Sequence, residues 1–465
     1  MNLPIENISS RREFLINTSK LAAVSALAGV AIPHVHAAEN NTIQIALIGC
    51  GGRGTGAASN ALSVKGGPMK LVAMADVFNS RLKTSHDSLT KNHAERMDVP
   101  EERRFIGFDG YKHAMDCLKP GDVVIFTTPL AFRWVHFTYA IEKKLNVFME
   151  KPLIADGPSA RRMFTLAEES VKKGLKVGVG LMSRHSKALQ QLHQRIQDGE
   201  IGDITLMRGY RMAGPLGSAF SEKWPGGQTS ELLWQIQRFH SFIWASGGCF
   251  SDFYIHHIDH CCWMKNAWPV KAHALGGRHY RGDYVDQNFD SYSVEYTFPD
   301  GGKFIMDGRC MVGALPIYSS YAQGTKGNAI IAHDGDCGLP SSIHKGMTAN
   351  RGNAIWTSEI APEDRDPYQN EWNALISAIR NDKPHNEAKR GIEASVATSM
   401  GRMAAHTGQE ITWDDMLNCD QEFAPGADKL TMDSPAFLRS DKDGKYPVPR
   451  PGLNKTHEYD ANMTA

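Results

Sequence analysis

Apolar runs with few internal polar breaks dominate the first third of the chain. Ile43–Ile48, Lys70-Leu-Val-Ala-Met-Ala-Asp76, Asp122-Val-Val-Ile-Phe-Thr127 and Asn146-Val-Phe-Met-Glu150 are such runs, too short for buried helices. Strands apolar on both faces belong in a parallel sheet covered by helices on each side. The segments between them agree: 79–96 is polar and helix-permissive, 111–118 reads as a helix after a short strand and turn at 105–111, and another helix starts near Trp134. From Val177 the pattern reads as a second, α+β region. Lys176-Val-Gly-Val-Gly180 predicts its first strand. Segments 204–211, 270–278, 291–298 and 303–306 then alternate, and Pro299-Asp-Gly-Gly302 marks a hairpin turn, as in an open antiparallel sheet. Residues 252–260 predict a helix covering one sheet face. Helices over 367–380, with Trp372, Leu375, Ile376 and Ile379 on one side, and over 388–406 pack back toward the first domain.

The first strand ends in glycines whose spacing is chemically demanding. Gly49, Gly51 and Gly54 fit G-x-G-x-x-G: one glycine for the tight turn, one for close approach of a pyrophosphate, one for packing the next helix on the strand. Gly52 and Arg53 lie within that cradle, where helix N–H groups point at phosphate. Asp76 ends the second strand about 20 residues on, where a ribose 2′-hydroxyl needs an acceptor, and an acid there favours NAD over NADP. The expected fold is α/β: an N-terminal Rossmann dinucleotide-binding domain (38–155) and a C-terminal α+β domain with a large, mostly antiparallel open sheet (156–415), followed by a polar tail (416–465).

Other strand ends on the same sheet edge supply further candidates. Thr127, Thr128 and Pro129 follow the third buried strand and should border the cofactor. Trp134 and His136 open the next helix, where they either pack it or flank the nicotinamide. Glu150-Lys151-Pro152 follows the next strand. Proline forces the preceding residue into an extended conformation, which aims Lys151 at the crevice rather than along a helix. There a lysine can orient a substrate hydroxyl or move a proton.

The ends and the charge balance narrow the setting. Ser10-Arg11-Arg12-Glu13-Phe14-Leu15 is a twin-arginine pattern, followed by a mild apolar run and small residues at Val35-His36-Ala37. We expect residues 1–37 to be a signal peptide read by the twin-arginine translocation machinery, giving a periplasmic or otherwise exported protein with no stable membrane insertion. Lysines plus arginines number 51, as do aspartates plus glutamates, so no net field favours nucleic acid. The eight cysteines include no C-x-x-C pair.

Together these motifs resemble the glucose–fructose oxidoreductase, inositol dehydrogenase and MocA family. Gly49-x-Gly51-x-x-Gly54, Asp76, Thr128-Pro129 with His136, and Glu150-Lys151-Pro152 carry the likeness, with Asp252-x-x-x-His256-x-x-Asp259, Asn386-Glu387-Ala388, Glu393 and Met400-Gly-Arg402. Many members have glycine where this chain has Tyr254. The resemblance implies that Lys151, Asp252 and His256 form the catalytic cluster. His256 would take the proton from a sugar hydroxyl while Lys151 binds the oxygen and Asp252 orients or shares the proton. It also implies cofactor contacts at Glu150 and Lys151, substrate contacts near Arg184 and His185, and homo-oligomers in which the tail drapes over a neighbouring subunit.

Read without the family, positions 252, 256, 259 and 260 share one helix face. A metal site from His256, Asp259 and His260 is not expected, because three such ligands on one helix do not readily converge. Tyr254, Asp259 and Trp224 complete the substrate candidates. The 214–244 insertion brings Trp224, Trp234, Trp244, Arg238 and His240 either as stacking platforms for sugar rings or as anchors of a long loop. Asp283, Asp286 and Gln287 are candidates at the pocket rim. The expected function is an exported oxidoreductase with tightly held NAD acting on a carbohydrate. Its rivals are a glycosidase working by transient oxidation and elimination, and a non-catalytic sugar- or nucleotide-binding protein.

Overall fold

The computed structural model describes residues 41–460, so the twin-arginine pattern and the expected leader lie outside the described residues. The apolar runs form one parallel sheet from β1 (Ile43–Ile48), β2 (Met69–Asp76), β3 (Arg104–Ile106), β4 (Val123–Phe126), β5 (Asn146–Met149) and β6 (Val177–Val179). Their order is β3-β2-β1-β4-β5-β6, so the chain reverses direction across the sheet between β1 and β4. That switch opens a crevice at the carboxyl ends of the strands, where ligands bind in such sheets. β4 and β5 are buried at every position, as strands covered on both faces must be.

One strand differs from expectation. Val177–Val179 was expected to open the second sheet, but it is the edge of the first, paired in parallel with β5. The three residues are buried like their neighbours, and 182–185 is a helical turn rather than more strand. Its free edge is covered: Val177 donates its N–H to the His385 carbonyl (2.8 Å) and accepts from the Glu387 N–H (2.9 Å).

The second sheet has nine strands: β7 (Ile204–Ala213), β8 (Lys271–Gly277), β9 (Ser291–Thr297), β10 (Lys303–Cys310), β11 (Ile317–Gly324), β12 (Gly327–Ala332), β13 (Ser342–Lys345), β14 (Ala354–Thr357) and β15 (Ile411–Thr412). They run β14-β13-β12-β11-β7-β10-β9-β8-β15, antiparallel except for the β7–β10 pair. Strict alternation of buried and half-buried positions on β9 and β10 gives the sheet one packed face. The Gly248–Lys265 helix lies on that face across β7, β10 and β11. Gly308 on β10 makes this approach possible, since a β-carbon there would run into the Tyr254 ring.

Two later helices join the layers. Pro367–Arg380 buries Trp372 against Phe148 of the first sheet, with ring centroids 4.5 Å apart. Ala388–Thr407 is buried along most of its length between the Gly157–Lys172 helix, the Gly248–Lys265 helix and strands β8 and β9. The tail packs on its own chain. The Phe423 N–H donates to Asp156 (3.0 Å), Phe437 meets Trp244 edge-on at 4.8 Å, and Tyr446 stacks on Trp234 at 6.1 Å. Glu458 reaches the buried Arg402 (2.8 Å) and His406 (2.6 Å). Among the described residues no helix is long and apolar enough to cross a membrane.

Candidate functional site

Two adjoining chambers open at the carboxyl edge of the first sheet and share Gly52, Arg53, Thr127, Thr128, Pro129 and Phe239 as walls. The space they span, open to solvent, is about 990 and 1030 Å³.

The first chamber is the glycine cradle. Gly49 sits at φ +94°, and a β-carbon there would lie 2.8 Å from the Thr128 nitrogen. A side chain at Gly54 would collide with the Gly49 carbonyl, so helix and strand touch backbone to backbone. Gly51 and Gly52 differ: a β-carbon on either would meet nothing within 4 Å, because both face the chamber. The first N–H groups of the Gly52–Ser63 helix therefore open on free space, a position that suits an anion. Asp76 borders the same chamber, accepting from the N–H groups of Cys50 (2.6 Å) and Phe78 (2.8 Å). Burial raises its pKa and those donors oppose the rise. Each of its oxygens keeps capacity for a further donor. Replacing Gly51 by valine should leave the melting temperature within a few degrees but weaken nucleotide binding at least about tenfold, since the new methyls occupy phosphate space. Titration with NAD, beside a thermal melt, checks both halves.

His136 lines this chamber from its helix, 3.3 Å from the Thr128 hydroxyl and packed on Tyr111 at 4.5 Å. Burial, with Arg133 adding to it, pushes its pKa down to about 3, so the ring is neutral. Arg53 does not wait free for phosphate. Its guanidinium binds Glu150 and Glu371 (3.2 Å for the latter) and lies 4.7 Å over the Tyr368 ring. Glu150 is thereby tied to Arg53 at the wall between the chambers.

The second chamber gathers Lys151, Asp252 and His256. Lys151 leaves the end of β5 and donates from Nζ to the Asp252 carbonyl (2.6 Å), with the Asp252 carboxylate 3.6 Å away. Asp252 and His256 stand one turn apart on the Gly248–Lys265 helix. Burial alone would raise the Asp252 pKa, but Lys151, His240 and His256 outweigh it and hold the group down to about 2. His256 is pushed well below the usual imidazole range, first by burial and then by Lys151 and Arg211. Its Nδ1 is buried without a hydrogen-bond partner. The cluster is thus a lysine beside a fixed carboxylate anion and a neutral imidazole, suited to holding an oxygen while accepting its proton.

The remaining substrate candidates lie elsewhere. Arg184 grips Asp259 with contacts of 2.7–3.0 Å, and both serve the helix packing. His185 binds Glu387 (3.0 Å), Tyr254 is buried between Phe250 and Tyr292, and Trp224 donates to the Thr229 carbonyl of its own loop (3.2 Å). None of these five lines either chamber. His260 is turned to Ser320 (2.8 Å), away from His256. Asp286 and Gln287 are internal, the first on Arg281 and the second receiving the Ile243 N–H (2.9 Å), while Asp283 is exposed.

Several wall residues carried weak or no sequence signal. Arg133 is fully buried and clamps the carbonyls of Phe126 (3.0 Å) and Thr128 (2.9 Å), the strand end that borders both chambers. A charged residue beside Trp134 and His136 was its one clue. His240 and Phe239 come from the 214–244 insertion, and Ala427, Asp428 and Leu430 bring the tail against the first chamber.

The fold and site define an architecture of two sheets: a parallel sheet whose strand ends face a helix laid on a second, open sheet. Comparison with known proteins agrees on the architecture. No family model matches the chain. A 101-residue stretch is 27% identical to inositol 2-dehydrogenase of Corynebacterium glutamicum, covering 22% of this chain and 29% of that protein. The aldose–aldose oxidoreductase of Caulobacter crescentus, solved with glycerol, superposes with a TM-score of 0.59 at 15% identity, over 80% of this chain and all of that one. The scyllo-inositol dehydrogenase of Lactobacillus casei, solved with NAD(H) and scyllo-inositol, gives 0.57 at 21% identity over 80% and 100%. At these identities the likeness establishes the fold.

Proposed function

We propose that this chain is an exported, NAD-dependent oxidoreductase of the glucose–fructose oxidoreductase, inositol dehydrogenase and MocA type, acting on a ring carbinol of a sugar, sugar derivative or glycoside. One observation carries the reading: the glycine cradle and the Lys151–Asp252–His256 cluster border a single cleft. The relatives' names, an inositol dehydrogenase and an aldose oxidoreductase, support the substrate class. NAD, when bound, supplies the hydride acceptor. Gly51, Gly52 and the helix N-terminus would hold its pyrophosphate, and Asp76 its adenosine ribose. An acid at that place disfavours a 2′-phosphate.

The chain's own groups do the rest. Lys151 directs its ammonium at the substrate oxygen, stabilising charge as a carbonyl forms. Asp252 fixes Lys151 from two sides. His256, neutral at ordinary pH, takes the hydroxyl proton. The tail against the nucleotide chamber supports a tightly held cofactor, and a second copy on the outer face of the nine-stranded sheet belongs to the same reading.

The test is to purify the protein from the exported fraction, denature it, and identify the released nucleotide by mass. Fresh protein is then offered carbohydrates and glycosides while absorbance near 340 nm and product masses are followed. Stoichiometric NAD, reduced by one sugar class, is the expected result. A nucleotide bearing a 2′-phosphate overturns NAD, and an unprocessed cytoplasmic chain overturns export. A cleaved glycoside with no net reduction favours the elimination route. Absence of any bound or bindable nucleotide leaves a sugar-binding protein.

A further inference from the structure

The 214–244 insertion brings one residue into the catalytic chamber that the proposed roles leave unused. His240 Nε2 lies 3.3 Å from Asp252 Oδ2, on the carboxylate oxygen opposite the one facing Lys151. The ring is held on every side. Phe253 of the Gly248–Lys265 helix stacks on it at 5.1 Å and 18°, and Phe239 lies against it at 3.8 Å. Its Nδ1 receives the Ser218 backbone N–H at 3.2 Å, with the Ser218 hydroxyl 3.0 Å away. Ser218 is fixed in turn: its hydroxyl accepts the His240 N–H (3.3 Å) and its carbonyl accepts from the Ser241 hydroxyl.

This network decides the tautomer. A backbone N–H cannot change its sense, so the nitrogen that accepts from Ser218 carries no proton, and the proton sits on Nε2, the nitrogen 3.3 Å from Asp252 Oδ2. Asp252 thus has Lys151 3.6 Å from one oxygen and the fixed imidazole Nε2 3.3 Å from the other. A carboxylate held from one side pivots about its χ2 bond, whereas one held from both sides does not. Lys151 takes its own position from Asp252, through both the carbonyl and the carboxylate.

We infer that His240 is a positioning residue of this site: it locks the Asp252 carboxylate so that Lys151 is presented to the substrate oxygen, which makes the inserted loop part of the catalytic machinery. The inference rests on the proposed oxidoreductase reading for its kinetic consequence, but not for its geometry. A hydrogen bond to a charged group is worth enough that losing it costs about ten- to a hundredfold in a step that depends on it.

The test compares His240→Phe, which keeps the stack and removes the N–H, with His240→Gln, whose amide restores a donor near the Nε2 position. Nucleotide content and single-turnover reduction of the bound nucleotide are measured across pH. His240→Phe should hold its nucleotide, lose about ten- to a hundredfold in rate, and show its acid limb at higher pH. That direction follows because Asp252 is also faced by Lys151, His256 and Arg133, and removing one favourable partner lets burial raise its pKa. His240→Gln should recover most of the rate. A wild-type rate and pH profile in His240→Phe overturns the inference.

A readout independent of turnover covers the other cases. Nitrogen-15 shifts of the wild-type His240 ring should show a protonated Nε2 and a bare Nδ1, with Nε2 shifting in Asp252→Asn. A protonated Nδ1, or an Nε2 blind to Asp252→Asn, overturns the inference even if His240→Phe does not fold. If no carbohydrate reduces the nucleotide, the oxidoreductase reading fails, and the ring measurement alone decides for or against the lock.

Discussion

On the proposed oxidoreductase reading, Lys151→Met should reduce turnover of bound nucleotide by about 10²–10⁴-fold while nucleotide binding persists. The argument turns on what methionine keeps. It fills nearly the same volume on an unbranched stem, so the lining of the second chamber remains. It removes the ammonium 3.6 Å from the Asp252 carboxylate and 2.6 Å from its carbonyl. Asp252 does not become an orphan, because His240 and the nearby Arg133 continue to favour its charge. The loss therefore falls on the reacting oxygen rather than on the fold. Single-turnover kinetics with the identified carbohydrate, beside nucleotide stoichiometry and a melt, separates the three quantities. A variant with the full rate would remove Lys151 from the chemistry.

The second large effect lies far from that oxygen. Glu458→Ala should cost about 3–5 kcal/mol of stability, the expected penalty for breaking a buried ion pair from one side. Arg402 is 1% exposed, Glu458's side chain 4%, and His406 shares the same carboxylate. Removing the acid leaves a guanidinium inside the protein with hydroxyls and carbonyls for company. Urea unfolding checks the magnitude. The same pair sets an acid limit. Burial would raise the Glu458 pKa, but Arg402 and His406 outweigh it and hold the group down to about 2. A depressed carboxylate stabilises the fold above its unfolded pKa of about 4.3, and that contribution is lost as pH falls from there toward 2. In Glu458→Ala this part of the acid transition should disappear. Because Ala427, Asp428 and Leu430 of the same tail line the nucleotide chamber, the variant should also release its cofactor faster.

The parallel sheet and its glycine turn were legible because local demands wrote them. A strand buried on both faces has to be apolar throughout, and only glycine fits at Gly49 and Gly54. Lys151, Asp252 and His256 were grouped by the family resemblance rather than by any local signal, and the fold brings the three to one chamber. Val177–Val179 was misplaced because three apolar residues do not say which sheet they join, and β5 beside them decides it. Arg184 and Asp259 look alike in sequence whether they meet a sugar or each other. Only the packing of the Gly248–Lys265 helix, which brings them to 2.7 Å, distinguishes the two. His240 was noted among aromatic platforms, but its reach to Asp252 depends on the path of a long insertion, which no periodicity encodes.

The Arg402–Glu458 pair also orders events during synthesis. The arginine is made 56 residues before the acid that neutralises it. Until that acid emerges, the helix carrying Arg402 packs among the layers only with an unpaired buried charge, at a cost of about 3–5 kcal/mol. A nascent chain stalled between these two residues should therefore be less stable and more readily cut by proteases than one in which Glu458 has docked.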